Sequence, residues 1–343
     1  MKIGLTYNLK KQGAQGGTPS GFCAGSGGLD AIEAVRDALL ERHASVEMIE
    51  ADEDAYEKLR ASRPTMVLNM AEGLRGQSRE SQMPAIMEML RIPYTGSSPL
   101  ALSLCLNKAR AKEMLAHYGI PTARFLVAQR GDAGIERFLA FPMVVKPLCE
   151  GSGRGVGDDS IVRGPEELRR RVDRVVGEYG QPALVEEYLE GREFTVALLG
   201  NGESTRTLPI VEINYSALPE GVNPIYSNET RSVLHGPGAP PDGFTCPAGV
   251  NDRLGSAIET VAKDAFRALE VRDWCRIDVR LDAAGVPHVI ELDPLPGIPM
   301  APNADSCFSM AARAAGMSRG DLVNGVVDIA LERYGISPSD RPN

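Results

Sequence analysis

The sequence predicts a parallel α/β lobe at the N-terminus followed by α+β sequence, and three observations carry that reading. Strand-like and helix-like runs alternate from Lys2 to Leu90, the pattern of a parallel sheet with crossover helices. Later segments are strands joined by Gly- and Pro-bearing turns, with single amphipathic helices between them. The chain has 343 residues, 43% hydrophobic and 24% charged, so it can bury a large core as two domains or as one unit of several lobes.

Lys2 to Tyr7 reads as the first strand. It runs into a Gly-rich segment, Gly13 to Gly28, and then a helix with Leu29, Ile32, Val35 and Leu39 on one face. A further strand, Thr65 to Met70, precedes a helix with Met83, Ile86, Met87 and Leu90 at i, i+3, i+4, i+7 spacing. The turn after the first strand lacks GxGxxG with an acidic partner, so a Rossmann dinucleotide site is not supported. Pro93-Tyr94-Thr95-Gly96 punctuates a boundary, and the helix after it ends at Gly119-Ile120-Pro121. Strands at Ala123 to Ala128 and Pro142 to Pro147, a glycine loop, and a helix opened by Pro165 with Leu168, Val172 and Val175 on one side make a small α+β lobe. From Pro182 come strands Ala183 to Glu187 and Phe194 to Leu199, a long loop, and a helix carrying Leu254, Ile258, Val261, Ala265 and Leu269. The expected lobes are therefore 1–97, 98–181 and 182–343.

Several function classes fall away. The first residues hold no secretory apolar region and no apolar run is long enough to span a membrane, so a cytoplasmic protein without a membrane partner is expected. Cys23, Cys105, Cys149, Cys246, Cys275 and Cys307 form no CxxC pair and have no His at zinc spacing, which leaves them as reduced fillers. With 46 Asp+Glu against 37 Lys+Arg and no basic stretch interleaved with aromatics, nucleic acid is not an expected partner. His43, His117, His235 and His288 lie at no nucleophile motif. An enzyme acting on small molecules remains, and Trp274 reads as core.

Two segments carry chemistry. Arg276-Ile277-Asp278-Val279-Arg280-Leu281, a turn at Ala284-Gly285, and Val289-Ile290-Glu291-Leu292-Asp293 form a predicted hairpin. Alternation puts Ile277, Val279, Leu281, Ile290 and Leu292 on one face and sets Asp278 across from Glu291 and Asp293 across from Arg276. Opposed like charges ask for a cation, and oxygen-only donors favour Mg²⁺ or Mn²⁺. The plainer alternative is a solvated strand face neutralised by Arg276 and Arg280. The second segment is a buried strand delivering Lys146, followed by the loop Gly151 to Gly157, whose glycines let backbone amides approach phosphate oxygens; no Walker A pattern is present.

With these stand Asn69-Met70-Ala71-Glu72-Gly73, Ile92-Pro93-Tyr94-Thr95-Gly96, Asn107-Lys108, Glu186 to Tyr188, Gly191-Arg192-Glu193-Phe194-Thr195-Val196 and Pro296-Gly297. In this order and over nearly the whole chain, the set resembles the ATP-grasp carboxylate-amine ligases, most of all the D-alanine:D-alanine ligase branch. The resemblance implies a three-lobed ATP-grasp fold with ATP held between the central and C-terminal lobes, two Mg²⁺ (or Mn²⁺) ions, amino acids as substrates and a homodimer through the N-terminal lobe. Lys108 and Lys146 would contact phosphates, Glu186 with the backbone near Glu187 and Tyr188 would receive adenine, and Glu193 would take the ribose. Asp278, Glu291 and Asp293 would hold the metals, and Arg276 with the N–H of Gly297 would stabilise oxyanions. An acyl phosphate forms first, and an amine then displaces its phosphate.

The chain also departs from the family pattern. Asp30 stands near the place of a Glu that holds the first amino acid's ammonium, and Glu72 replaces a His in the same pocket. In the long loop Tyr215 to Pro247, which reads as a lid, Arg231 replaces Lys and Ser232 replaces Tyr, so the usual lobe link through Ser152 cannot form in its ordinary version. Ser306 would meet the second substrate's carboxylate. The nucleotide apparatus is thus expected intact and the amino-acid pocket altered. A small-molecule kinase or a non-catalytic nucleotide-binding protein on the same fold is the alternative.

Overall fold

The computed structural model describes residues 1–9, 28–131, 134–151, 153–236, 238–299 and 306–337. The N-terminal lobe runs β1 (Lys2–Tyr7), α1 (Gly28–Leu40), β2 (Ser45–Glu50), α2 (Ala55–Ser62), β3 (Met66–Asn69) and α3 (Gln82–Leu90). All residues of β1 after Lys2 are buried, because parallel partners flank it on both edges in the order β2-β1-β3. Ile3 and Leu5 face α1, whereas Val67 faces Leu59 of α2 and Met87 of α3. Leu29 departs from the predicted face of α1: it is exposed, and burial begins at Ile32.

Two short helices lead out of this lobe, α4 (Pro99–Leu106) and α5 (Lys108–His117). Ser98 caps α4 by accepting the N–H of Ala101, with Pro99 in the first turn, and Asn107 breaks the run and caps α5 through the N–H of Arg110. The break aims Leu106 and Ala109 at Leu148 and Leu184, and Cys105, Ala111 and Leu115 at Phe194, Val196 and Ile277. The pair is therefore wedged between the two following lobes.

The central sheet comprises β4 (Phe125–Ala128), β5 (Met143–Pro147), β6 (Ile161–Val162) and β7 (Ala183–Glu187), antiparallel in the order β4-β7-β5-β6. The helix α6 (Pro165–Tyr179) covers it through Leu168, Val172 and Val175. The expected boundary after residue 181 thus falls one strand early, since β7 pairs with β4 and β5. Sequence order misled here, because the connection through α6 returns the chain to the middle of the same sheet.

The C-terminal lobe contains β8 (Glu193–Leu199), β9 (Arg206–Thr207), β10 (Val211–Ile213), α7 (Asn228–His235), β11 (Phe244–Thr245), α8 (Asp252–Ala268), β12 (Trp274–Leu281), β13 (Pro287–Asp293), α9 (Cys307–Ala314) and α10 (Arg319–Arg333). The sheet runs β11-β10-β8-β12-β13, with β9 beside β8. Ile258, Ala262, Ala265 and Phe266 of α8 pack on one face, and Phe308 of α9 packs on Trp274, whose ring is 1% exposed with centroids 5.9 Å apart. Val323, Val326 and Val327 of α10 cross back to the N-terminal sheet. One buried acid fixes that crossing: Asp273 accepts from Gly96 N at 2.7 Å, Asn201 Nδ2 at 2.8 Å, and Arg333 Nε and Nη2 at 2.9 and 2.8 Å.

Candidate active site

The hairpin β12–β13 closes in the predicted register, with Arg276 opposite Asp293 and Asp278 opposite Glu291. One feature differs from the alternation. Val279 pairs with Val289, so Ile290 is an extra residue in a β-bulge; Val289 and Leu292 enter the core while Ile290 lines the cavity beside Glu291. Three acids and Arg276 face the same cavity, which has a volume of about 1130 Å³ and lies between the central and C-terminal sheets.

Arg276 bridges the acids, with Nε 3.2 Å from Asp278 Oδ1 and Nη1 3.1 Å from Asp293 Oδ2. Thr195 on the next strand donates to Asp278 Oδ1 at 2.9 Å. Lys108, from the first turn of α5, lies 3.3 Å from Glu291 Oε1 and also donates to the carbonyl of Glu150. Burial favours the neutral form of Glu291, but Lys108, Lys146 and Arg276 outweigh it and hold its carboxylate below the usual range. Asp293 goes the other way: burial raises it, and Glu291 and Asp278 add to that rise against Arg276. Basic side chains thus take part of the charge, as the plainer reading of the hairpin required, although Arg280 serves Glu193 instead.

Among the described residues no three His, Cys, Asp or Glu side chains converge tightly enough to hold an ion as they stand. The donor set still fits a hard divalent cation. Three oxygen-donor carboxylates on paired strands share one cavity wall, directly ion-paired to Arg276 and Lys108 alone among the described residues.

Opposite, β5, β7 and α5 supply a buried triad. Glu186 lies 2.6 Å from Lys146 Nζ and 2.9 Å from Lys112 Nζ. Burial acts to raise its pKa, and the two ammonium groups overcome that and bring it to about 2. The Glu186 carboxylate is therefore committed to the lysines. The N–H groups of Glu187 and Tyr188, expected to face adenine, go to the carbonyls of Arg124 and Pro142. Glu187 pairs with Arg124 at 3.1 Å, and the Tyr188 hydroxyl receives Arg280 Nη2 at 2.7 Å. Glu193 accepts from Arg280 Nη1 at 2.9 Å and from Tyr215 at 2.8 Å, both on Oε2. Lys112, Arg280 and Tyr215 were not legible as site residues. Lys112 follows Lys108 by one helical turn, a spacing that reads as a solvated face, yet it is 1% exposed.

The long loop packs against the glycine loop. Asn223 grips Asp158 beyond the glycine loop, with N to Oδ1 at 2.7 Å, and Asn228 N reaches Val156 O at 3.0 Å, so α7 sits on that loop. Ser227 caps α7 through the N–H of Thr230. Arg231 lines the cavity and stacks over Tyr226 at 5.7 Å, while Ser232 turns back to Asn228 O at 2.9 Å. Ser306 caps α9, accepting from Ser309 N, and donates to Gly297 O at 2.9 Å, which fixes that peptide at the cavity rim.

Glu72 also lines the cavity. Asp30 does not: it is exposed on the first turn of α1, while Gly28, Ala31 and Ile32 form the wall there. Ser152 lies outside the described residues. Just before it in sequence, the start of the glycine loop is reached by Arg79 of the N-terminal lobe. Its Nη1 donates to Cys149 O at 3.0 Å and its Nη2 lies 3.3 Å from Glu150 Oε2.

Comparison with known proteins identifies relatives over most of the chain. Residues 114–328 match the family model described as D-ala D-ala ligase C-terminus. An uncharacterized protein, y4sG of Sinorhizobium fredii, is 39% identical over 78% of this chain and 75% of its own. The D-alanine–D-alanine ligase of Pelotomaculum thermopropionicum is 30% identical over 89% of this chain and 92% of its own. The crystal structure of D-alanine–D-alanine ligase from Bacillus anthracis complexed with ATP superposes with a TM-score of 0.70 at 20% identity, covering 98% of this chain and 99% of that one. The chain belongs to the D-alanine–D-alanine ligase family and has its three-lobed ATP-grasp fold.

Proposed function

We propose that this protein is an ADP-forming ligase that joins two amino acids through an acyl phosphate. The observation carrying the proposal is the meeting of Lys108, Lys146, Arg276 and the acids of β12–β13 on one cavity roofed by α7. A carboxylate oxygen of the first amino acid attacks the γ-phosphorus of ATP and the bond to ADP breaks. The amine of the second then attacks the acyl carbon, loses a proton, and expels phosphate. Negative charge builds on oxygen in both steps, so fixed cations and amides supply the acceleration.

In this reading Lys108, Lys146 and Arg231 hold phosphate oxygens. Arg276, anchored by Asp278 and Asp293, and the rim at Gly297 and Ser306 receive the developing oxyanion and the second substrate. Asp278, Glu291 and Asp293 would hold Mg²⁺, which neutralises phosphate charge when bound. Glu193 would use its remaining oxygen on the ribose. Adenine would meet the strand end after Glu186, where Leu189 lines the cavity, since the amides of Glu187 and Tyr188 are taken. Glu72 on the cavity wall supports an amino-acid pair other than two D-alanines.

Mass spectrometry of products from ATP, Mg²⁺ and pooled D- and L-amino acids tests the reaction. A condensed product with ADP is expected. ADP with a phosphorylated acid alone would make it a kinase, ATP binding without turnover a binding protein, and exclusive D-alanyl-D-alanine would refute the altered pair. A homodimer through the N-terminal lobe is checked by sedimentation.

A further inference from the structure

The acids on β7, β8 and the hairpin each have a basic partner, as described above. Glu80 does not. It sits in a single 3₁₀ turn, Arg79–Ser81, is 9% exposed and lines the cavity. Among the described residues it accepts no hydrogen bond and forms no ion pair. The neighbouring cations act on Glu80 only at a distance: Arg79 turns Nη1 and Nη2 to Cys149 O and Glu150, leaving Nε without a hydrogen bond, and Lys108 pairs with Glu291 and Glu150 O. The Glu80 carboxylate therefore opens onto the cavity with no protein cation paired to it, an unfavourable place for a charge in a largely enclosed wall and one that a cationic ligand group would relieve.

We infer that Glu80 anchors an ammonium group of the amino-acid substrate bound beside the N-terminal lobe, a subsite that rests on the ligase reading above. Three further observations favour this occupant. Glu72 lines the same cavity and adds negative charge, while Ile32 and Leu106 give the cavity apolar wall as well. That combination suits a carbon-bearing ammonium better than a magnesium ion, which keeps several waters. Asp30, the expected ammonium partner, is exposed and off the wall. Burial, then Glu72 and Asp293, raise the proton affinity of Glu80 against Arg79 and Lys108, so an added positive charge at this wall would be favoured.

The test compares wild type with Glu80→Gln in two measurements. Without ligand, Glu80→Gln should melt no lower than wild type, since no structural partner is lost. With ADP and Mg²⁺ present, a pool of D- and L-amino acids should raise the wild-type melting temperature more than a pool of the matching des-amino acids, and the variant should lose that difference. In turnover, the half-saturating concentration of the amino-acid pool should rise about tenfold or more in the variant, with the KM for ATP unchanged. A variant that melts below wild type, or still discriminates between the pools, overturns the inference, as does a wild type that does not discriminate. Failure of the ligase reading shows separately, as absence of condensed product while the pools are still told apart.

Discussion

The hairpin wall of the cavity and the wall formed by the loop after β3 both carry carboxylates, but they hold them differently. On the hairpin, Asp278, Glu291 and Asp293 are braced by Arg276, Lys108 and Thr195 in a strand register that leaves little freedom. On the loop wall, Arg79 tethers the glycine loop and Glu80 is left without an ion pair among the described residues. A braced wall suits a ligand whose chemistry does not vary, such as a triphosphate. The unbraced wall suits one that brings its own cation.

The largest effect that could break this contrast is on the braced side. Arg276→Ala removes the cation that faces developing oxyanions, and turnover should fall by about 10²–10³-fold, as when one oxyanion donor is lost. ATP affinity, measured by calorimetry with Mg²⁺, should change far less. An unchanged rate would place the oxyanion contact elsewhere.

Next in size is the triad behind the phosphate wall. Lys112→Met leaves Glu186 with Lys146 alone and should cost about 3 kcal/mol in urea unfolding, the low end for breaking a buried pair because one partner survives. The pH dependence has a definite sign. Glu186 titrates near 2 in the folded protein against an ordinary value of 4.5, so its stabilisation is in place above pH 4.5 and is lost as pH falls towards 2. In Lys112→Met the folded value rises and the acid limb of the melting curve should move to higher pH.

These two walls were also unequally legible. The hairpin could be read to the register because its turn and its alternation agree, and only Ile290 was misplaced, since a bulge has no signature in residue type. The lysine and glycine-loop motifs are local and survive in order. Lys112, Arg280 and Tyr215 escaped because their partners lie on other elements, Lys112 and Glu186 being far apart in sequence. Glu80 escaped because a single 3₁₀ turn has no period to read. The fold class was accessible from alternation, whereas β7 was assigned to the wrong lobe because strand order in a sheet is not sequence order.

A smaller effect is expected from the tether between the walls. Arg79→Met frees the start of the glycine loop, but Glu150 keeps Gln181 at 3.0 Å and Arg154 at 3.4 Å. Fold stability should drop by about 1–3 kcal/mol, and the KM for ATP should rise more than the KM for the amino-acid pool. A loss confined to the amino-acid KM would mean that Arg79 positions the loop wall and not the phosphate loop.

The smallest expected change separates this chain's lobe coupling from that of the family pattern it resembles. There the residue at position 232 would be a Tyr linking lobes, whereas here Ser232 bonds the carbonyl of Asn228 one turn back on its own helix. Such a back-bond within a helix adds little stability. Ser232→Ala should therefore leave turnover and melting temperature close to wild type, because the lobes are joined through Arg79 and Glu150 and through Asn228 on Val156. A marked fall in turnover with an unchanged fold would mean that Ser232 leaves Asn228 during the reaction and takes part in closing the cavity, and the division between a fixed phosphate wall and a separately tethered loop wall would have to be redrawn.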